Sequence, residues 1–465
     1  MLHFFRINDP YRLFGLLVLL TVLSLFIFID SPGITHPELK SILIGEKVTE
    51  GYSLYSEIID STPPLASWFY GLCDWIFGRN LTARHLFTFV LLFLQSAFLG
   101  IILIDKRAYN ENTFIPSLIF SLLMLISFDM LSLTAEVAAS GIMLLALNAL
   151  LTEIEFRVQR DETIFNLGLF ISLASLFSIS YIIYLPGLLV ILIIFTRNTI
   201  RKYLLMGMGF ILPYLLVFCL FYLNNNHYEL WNRFVVPNLA FTTAPFLSFK
   251  SLITLCAVPL LYLLISILVL NRNAHLTKYQ SQVLQAMFLW MVIALIQILF
   301  APGLRPQSLL PLAPPVCFLI THFLLAIRRK KIAEINTWVI LLGIISTLYF
   351  SSYQKISYVD NSKLLVGLSS VEFSDKKTLV LDNNPGAYIH NTLSPAFINW
   401  NLSADIFDNS QYYENVLLVN RLFEKDSPEI ILDPDNRMEK FFERIPGLKS
   451  KYKRSGNGTW MLISN

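Results

Sequence analysis

Charge is scarce in this chain. Only 14% of its 465 residues are Asp, Glu, Lys or Arg, where soluble globular proteins carry about 25%, and that deficit excludes a soluble enzyme. Cysteine is scarce as well. Cys219, Cys256 and Cys317 fall in apolar runs, Cys73 in an aromatic stretch, and no CxxC pair occurs, which argues against a zinc site or a disulfide framework. There is no glycine-rich phosphate loop, and a net charge of +3 offers no basic face for nucleic acid. What the chain does have is apolar: 55% hydrophobic residues and a mean hydropathy of +0.60. Its apolar runs reach 17 residues or more almost free of charge, long enough to cross about 30 Å of hydrocarbon as helices. The predicted fold is an all-α polytopic membrane protein.

A window of about 19 residues predicts about 11 transmembrane helices. They fall near 11–29, 84–104, 114–130, 133–152, 165–179, 181–196, 203–223, 251–270, 284–301, 309–327 and 335–353. The first run is too long for a signal-peptide core and has no small-residue cleavage site after it, so it reads as a retained helix. Residues 352–465 hold 27 of the 67 charged residues, which marks a water-exposed tail. The division is a transmembrane domain, 1–353, and a small C-terminal α/β domain, 354–465. In the tail the pattern predicts strand 377–382, helix 411–424, strand 428–433, helix 435–447 and a hairpin through Ser455-Gly-Asn-Gly458.

Orientation follows from the Lys/Arg bias of short loops. With the N-terminus cytoplasmic, the inner segments hold 15 basic residues, including Arg157, Arg160, Arg197 and the run Arg328-Arg329-Lys330-Lys331, against seven outside. An odd number of spans then sets the C-terminal domain on the outer, periplasmic side, beside the long first loop, 30–83. That loop carries Glu38, Glu46, Glu50, Glu57, Asp60 and Asp74. Its stretch 65–78 is too short to span and spaces Trp68, Leu72 and Trp75 helically, which predicts an interfacial helix lying flat at headgroup depth.

Several segments resemble the GT-C superfamily of polytopic glycosyltransferases, which includes protein mannosyltransferases and the aminoarabinose transferase of lipid A. The resemblance rests on Tyr55-Ser-Glu-Ile-Ile-Asp-Ser-Thr-Pro-Pro-Leu65, the aromatic helix after it, and Phe77-Gly-Arg-Asn-Leu-Thr-Ala-Arg-His-Leu86. It extends more weakly to Thr134-Ala-Glu136, Arg305-Pro-Gln-Ser-Leu-Leu-Pro-Leu-Ala-Pro-Pro315 and the tail. It implies a GT-C-like fold in the bacterial inner membrane and transfer of a sugar from a polyprenyl-phosphate lipid to a lipid, glycan or protein acceptor. The family's acidic pair at the start of the first loop corresponds here to Thr35-His36-Pro37-Glu38. The lysine common before Pro-Pro is Thr62, and the lysine common in the fifth-to-sixth hairpin is absent from Ser178-Ile-Ser-Tyr181.

Such a transfer needs a base for the acceptor hydroxyl and a cation, or a divalent ion such as Mg or Mn, at the departing phosphate. Glu38 is the expected catalytic base, with His36 as the second candidate because an imidazole titrates near neutrality. The plainer reading of His36-Pro37-Glu38 is a helix start, with proline in the first turn and a carboxylate at the positive end. Glu57 and Asp60, three apart, are expected to contact substrate hydroxyls, or, with Glu38 and Asp60 as ligands, a metal. A solvated acidic turn explains the same pair. Arg84, beside His85 at the start of the second span, and Arg305, in a short outer loop, suit a phosphate oxygen, although interfacial arginines also snorkel to headgroups. Glu136, inside an apolar segment near the outer face, is expected to line a cavity.

The departures from the family pattern keep a second reading open: a catalytically inactive GT-C-like scaffold that binds a protein partner through its outer face. A secondary transporter is disfavoured, since no two related halves and no charged midplane site are evident. The topology makes a direct prediction. In a chain whose native cysteines are replaced by serine, Glu50→Cys and Trp400→Cys should react with an impermeant thiol reagent in spheroplasts, and Lys330→Cys should not. Labelling of Lys330→Cys alone overturns it.

Overall fold

The computed structural model describes residues 1–29, 32–156, 161–196, 199–240, 245–273, 276–356, 358–367, 373–456 and 458–463. Arg157, Arg160 and Arg197 of the orientation count, and Asn457 of the expected hairpin, lie outside these. By its contacts the chain forms two compact units. One comprises Met1–Pro32, Asn80–Cys219 and Phe241–Lys363, the other Gly33–Arg79, Leu220–Ala240 and Leu364–Asn465.

The apolar runs fold as helices because a backbone in hydrocarbon must satisfy its own hydrogen bonds. Among the described residues seven helices are long and apolar enough to cross a membrane: Tyr11–Ile29, Leu81–Asp105, Ala135–Glu155, Ile200–Leu223, Lys278–Leu299, Pro306–Ala326 and Lys330–Ser352. The pair Phe249–Leu255 and Ala257–Leu270, bent by 71°, makes an eighth if counted as one span. The protein is thus a multi-pass membrane protein, and seven or eight of the about 11 expected spans are matched by helices of full length among the described residues. The remaining runs are helical but interrupted. The run 114–130 holds only the nine-residue helix Ile115–Leu123 and then a 3-10 turn, Phe128–Leu131, that places Asp129 against a cation. The runs 165–179 and 181–196 become Asp161–Phe177 and Tyr184–Phe195, 17 and 12 residues long. A 3-10 turn at Ile179–Ile183 separates them, and there Ser180 accepts a hydrogen bond from Gln297 at 2.7 Å. Burial ranks the spans: 72% of the Pro306–Ala326 window is buried against 22% of Tyr11–Ile29, so the former is central to its bundle and the latter peripheral.

In the second unit, α1 (His36–Thr49) is capped by Thr35, whose hydroxyl accepts from the Glu38 amide at 3.3 Å. Helix α2 (Pro64–Phe77) starts at a Pro-Pro pair and stops at Gly78, whose φ of +54° suits glycine. The two pack closely through glycine: a Cβ at Gly45 would lie 2.6 Å from the Tyr70 carbonyl, and one at Gly71 would lie 2.6 Å from Val48. Helix α2 buries Ala66, Ser67, Tyr70, Gly71 and Cys73 while exposing Leu72, Trp75 and Ile76. The expected helix at 65–78 is therefore present, with an apolar outer face.

The tail carries a five-stranded sheet of order β2-β1-β3-β5-β4, with β1 Lys377–Val380, β2 Thr392–Leu393, β3 Ile430–Leu432, β4 Tyr452–Gly456 and β5 Thr459–Leu462. Strands β1, β2 and β3 are parallel, and the β4–β5 hairpin adds antiparallel to β3. Helices α3 (Trp400–Asp408), α4 (Tyr413–Lys425) and α5 (Arg437–Arg444) supply Phe407, Phe423, Phe441 and Phe442 to its core.

The first loop belongs to that core. Ile59 packs with Phe397 and Ile431 and its amide donates to the Ala396 carbonyl at 2.9 Å. Leu39 and Leu43 of α1 pack with Val380, Tyr388 and Leu393, and the His36 amide donates to Leu364 at 2.9 Å. Sequence reading assigned 30–83 to the transmembrane domain, but residues 33–79 group with the tail, because each of these side chains gains about 1.5–3 kcal/mol by burial. Charges tie the same join. Arg79 forks onto Glu46 and donates to the carbonyls of Tyr388 and Asn391, both at 3.1 Å. Buried Lys47 donates to Glu50 at 2.7 Å and Asp426 at 3.3 Å, and Lys377 also reaches Asp426, at 2.8 Å.

Burial alone would raise the Asp426 carboxyl above its usual 3.8, but Lys377 and Lys47 outweigh it and hold the value lower. A depressed native value means that the stabilisation is present above the ordinary carboxylate range and is lost as pH falls through the native value. Asp426→Asn should loosen the tail by about 1–3 kcal/mol at pH 7, read as roughly 10- to 100-fold faster amide exchange in β1 and β3 of the full chain. The difference from wild type should shrink below about pH 4. Equal exchange at pH 7 contradicts the tie.

Candidate functional site

In the membrane unit, the backbone breaks at Phe128–Leu131 and Pro306–Leu312 meet around one guanidinium. Arg305 precedes the 3-10 segment Pro306–Leu312 and is only 3% exposed. Its Nη1 donates to Asp129 Oδ1 at 3.2 Å, and its Nη2 donates to Thr134 Oγ1 and to Glu136 Oε2, each at 2.9 Å. Gln307 closes the knot: its backbone amide donates to Asp129 Oδ2 at 3.1 Å, its side-chain amide to the Ser132 carbonyl at 2.7 Å, and its oxygen accepts from Thr134. Two carboxylates around one guanidinium leave a formal charge of minus one. Glu136 is the most open of the three, at 16% side-chain exposure against 0% for Asp129.

The sequence reading singles out Glu136 and Arg305, and the structure brings them together, with Arg305 buried against carboxylates. It missed Asp129 and Gln307. Asp129 carries a signal, being a carboxylate in the apolar run 114–130, but the run reads as an unbroken span and hides it.

The other expected residues are distributed as follows. Arg84 and His85 lie in the first turns of Leu81–Asp105, whose cap Asn80 accepts from the Ala83 amide at 3.1 Å; Arg84 is fully buried and His85 nearly so. In the second unit, Glu38 is fully buried in the first turn of α1, and His36 is half-buried, with burial drawing its imidazole below 6.5. His36 is therefore neutral, and able to accept a proton, at pH 7. Glu57 accepts from Lys425 Nζ at 2.6 Å and from the Ser53 amide at 2.7 Å. Burial would raise its carboxyl, but Lys425 and Ser53 hold it below the usual value. Asp60 pairs with Lys40 at 2.9 Å and accepts from the Thr62 amide at 2.8 Å.

Glu57 and Asp60 are thus held by different lysines and do not form a common chelate. Among the described residues no group of three or more His, Cys, Asp or Glu side chains is arranged to hold a metal ion.

The chain belongs to the family of unknown function DUF6427, whose model matches residues 76–359. No curated protein matches it. Among solved structures it is similar to ArnT from Cupriavidus metallidurans in the apo state, with a TM-score of 0.56 at 12% identity over 97% of both chains. It is similar to the same protein bound to undecaprenyl phosphate, with a TM-score of 0.53 at 11% identity over 97% of this chain and 98% of that one. The fold is accordingly that of ArnT.

The knot predicts its own fragility. Arg305→Ala strands two carboxylates in an apolar setting and should cost about 3–5 kcal/mol, seen as a large drop in the thermal unfolding midpoint of the detergent-purified protein. Arg305→Lys should recover only part, since it keeps the charge and loses the fork. An unchanged midpoint for Arg305→Ala would show that the carboxylates do not depend on it.

Proposed function

We propose that this member of DUF6427 is a GT-C-type membrane glycosyltransferase, moving a sugar from a polyprenyl-phosphate donor to a lipid, glycan or protein acceptor. In this reading it works at the outer face of a bacterial inner membrane, with its N-terminus cytoplasmic and its C-terminal domain periplasmic. The observation that carries the proposal is the likeness of fold, over 97% of the chain, to an ArnT captured with undecaprenyl phosphate.

The acceptor oxygen attacks the anomeric carbon as the bond from that carbon to the phosphate oxygen breaks. The lipid phosphate leaves with the electron pair, and the acceptor proton passes to a base. Glu38 takes that proton, with His36 as the alternative base. Arg84 supplies positive charge to the leaving phosphate. Glu136 accepts from a sugar or acceptor hydroxyl, and Arg305 acts as a positioning residue that fixes the Glu136 carboxylate. Glu57 and Asp60, already engaged by Lys425 and Lys40, shape the loop.

The second reading, an inactive scaffold that binds a protein partner, draws on those same engagements. Glu57, Asp60 and Arg305, three residues expected to meet substrate, each spend their charge within the protein.

Native mass spectrometry with short-chain polyprenyl phosphates separates the two. The transferase should bind one such lipid, Arg84→Ala should weaken binding roughly 10- to 100-fold, and Glu38→Gln should leave it intact. In membranes supplied with the cognate donor, Glu38→Gln should slow transfer about 100-fold or more. A wild type that binds no lipid phosphate sinks the transferase assignment.

A further inference from the structure

The segment after the helix Ile200–Leu223 is built unlike its neighbours. It runs His227–Leu230, then a π-turn Trp231–Val235, then Val236–Leu239. The wider π-turn carries one extra residue, so an apolar side spaced by three, five and three stays aligned. Tyr228, Trp231, Val236 and Leu239 are all exposed, at 50–68%. The opposite side buries Leu230 and Phe234, and Phe234 stacks on Tyr55 at 5.9 Å between ring centroids.

Arg233 projects from this segment to donate to the Tyr55 carbonyl, and Arg421 of α4 donates to the adjacent Ser56 carbonyl at 3.4 Å. Tyr55 is held at φ +67°, which presents two successive carbonyls to two guanidinia. Among the described residues neither arginine has a carboxylate within salt-bridge distance: Glu57, the nearest in sequence to the carbonyls, is taken by Lys425. Burial draws the Arg233 guanidinium below its usual value; Glu229 opposes this without cancelling it, and the positive Arg421 adds a smaller downward push. A partly desolvated cation beside a second cation is costly unless an anion joins them. Paired guanidinia match phosphate oxygens in geometry.

The geometry points to a phosphate-binding site at Arg233 and Arg421 whose ligand is the headgroup of an anionic membrane lipid. Two further observations favour a lipid over a free anion. The segment begins four residues after the end of a 24-residue apolar helix, a connection of about 10–14 Å at most, so the chain has just left the hydrocarbon. Its exposed residues are the aromatic and aliphatic kinds that settle at headgroup depth, beside a basic side chain. The site stands independently of the transferase reading.

The test uses the full chain purified in detergent with phosphatidylglycerol or phosphatidylcholine and followed by native mass spectrometry. Wild type should retain one more phosphatidylglycerol than Arg421→Glu. Arg233→Gln should weaken that binding roughly 10- to 100-fold, and phosphatidylcholine retention should be the same in all three. Arg421 is exposed, so its variant should unfold at the wild-type temperature and separates lost binding from lost fold. Equal phosphatidylglycerol retention by all three overturns the site. Full displacement of the lipid by inorganic phosphate at equal concentration overturns the lipid assignment, because the acyl chains would then add nothing.

Discussion

A guanidinium surrounded by apolar side chains is tolerable only if carboxylates come to it, and much of the membrane unit follows from that requirement at Arg305. The backbone leaves the α-helix near Phe128, near Thr134 and again between Ala301 and Leu312, and the freed groups are spent on one knot. Asp129 receives both the Arg305 side chain and the Gln307 amide, Thr134 bridges to Gln307, and Gln307 satisfies the Ser132 carbonyl. Irregular backbone survives inside a bundle when it is closed on itself in this way. The shortness of the helix Ile115–Leu123 beside it is the consequence.

The second unit is governed by a different demand, the shelter of a few apolar side chains on a loop too short to make a core. Leu39, Leu43 and Ile59 cannot cover one another, and the tail gives them a sheet and its flanking helices. The partly exposed Arg79–Glu46 tie sets the orientation of that contact more than its strength, while the buried Lys47–Asp426 pair adds stability as well. The acidic density of the loop finds its use here as well: Glu46, Glu50, Glu57 and Asp60 are each neutralised by a basic residue of the same unit.

Local patterns were legible in the sequence and distant partnerships were not. The tail strands and helices at 377–380, 413–425, 430–432 and 437–444 fall within the expected ranges or within a residue of them, because alternation and helical periodicity are written in neighbouring residues. The helix Pro64–Phe77 was readable for the same reason. Asp129 was hidden by the apolar residues around it, which dominate a hydropathy window. The pairing of Ile59 with Phe397, or of Arg79 with the Tyr388 carbonyl, spans more than 300 residues and leaves no trace in either segment alone. Arg305 was recognisable as important but not in its role, since a breaker followed by arginine reads alike whether the cation meets a phosphate or a carboxylate.

The union of loop and tail has a consequence for how the protein is made. The ribosome finishes Arg79 some 285 residues before Leu364 emerges, and at about 5–20 residues per second that is on the order of 15–60 s. For that interval Leu39, Leu43 and Ile59 exist without the strands that will cover them, while most of the apolar helices are still being made. The loop is therefore aggregation-prone for as long as the tail is unmade.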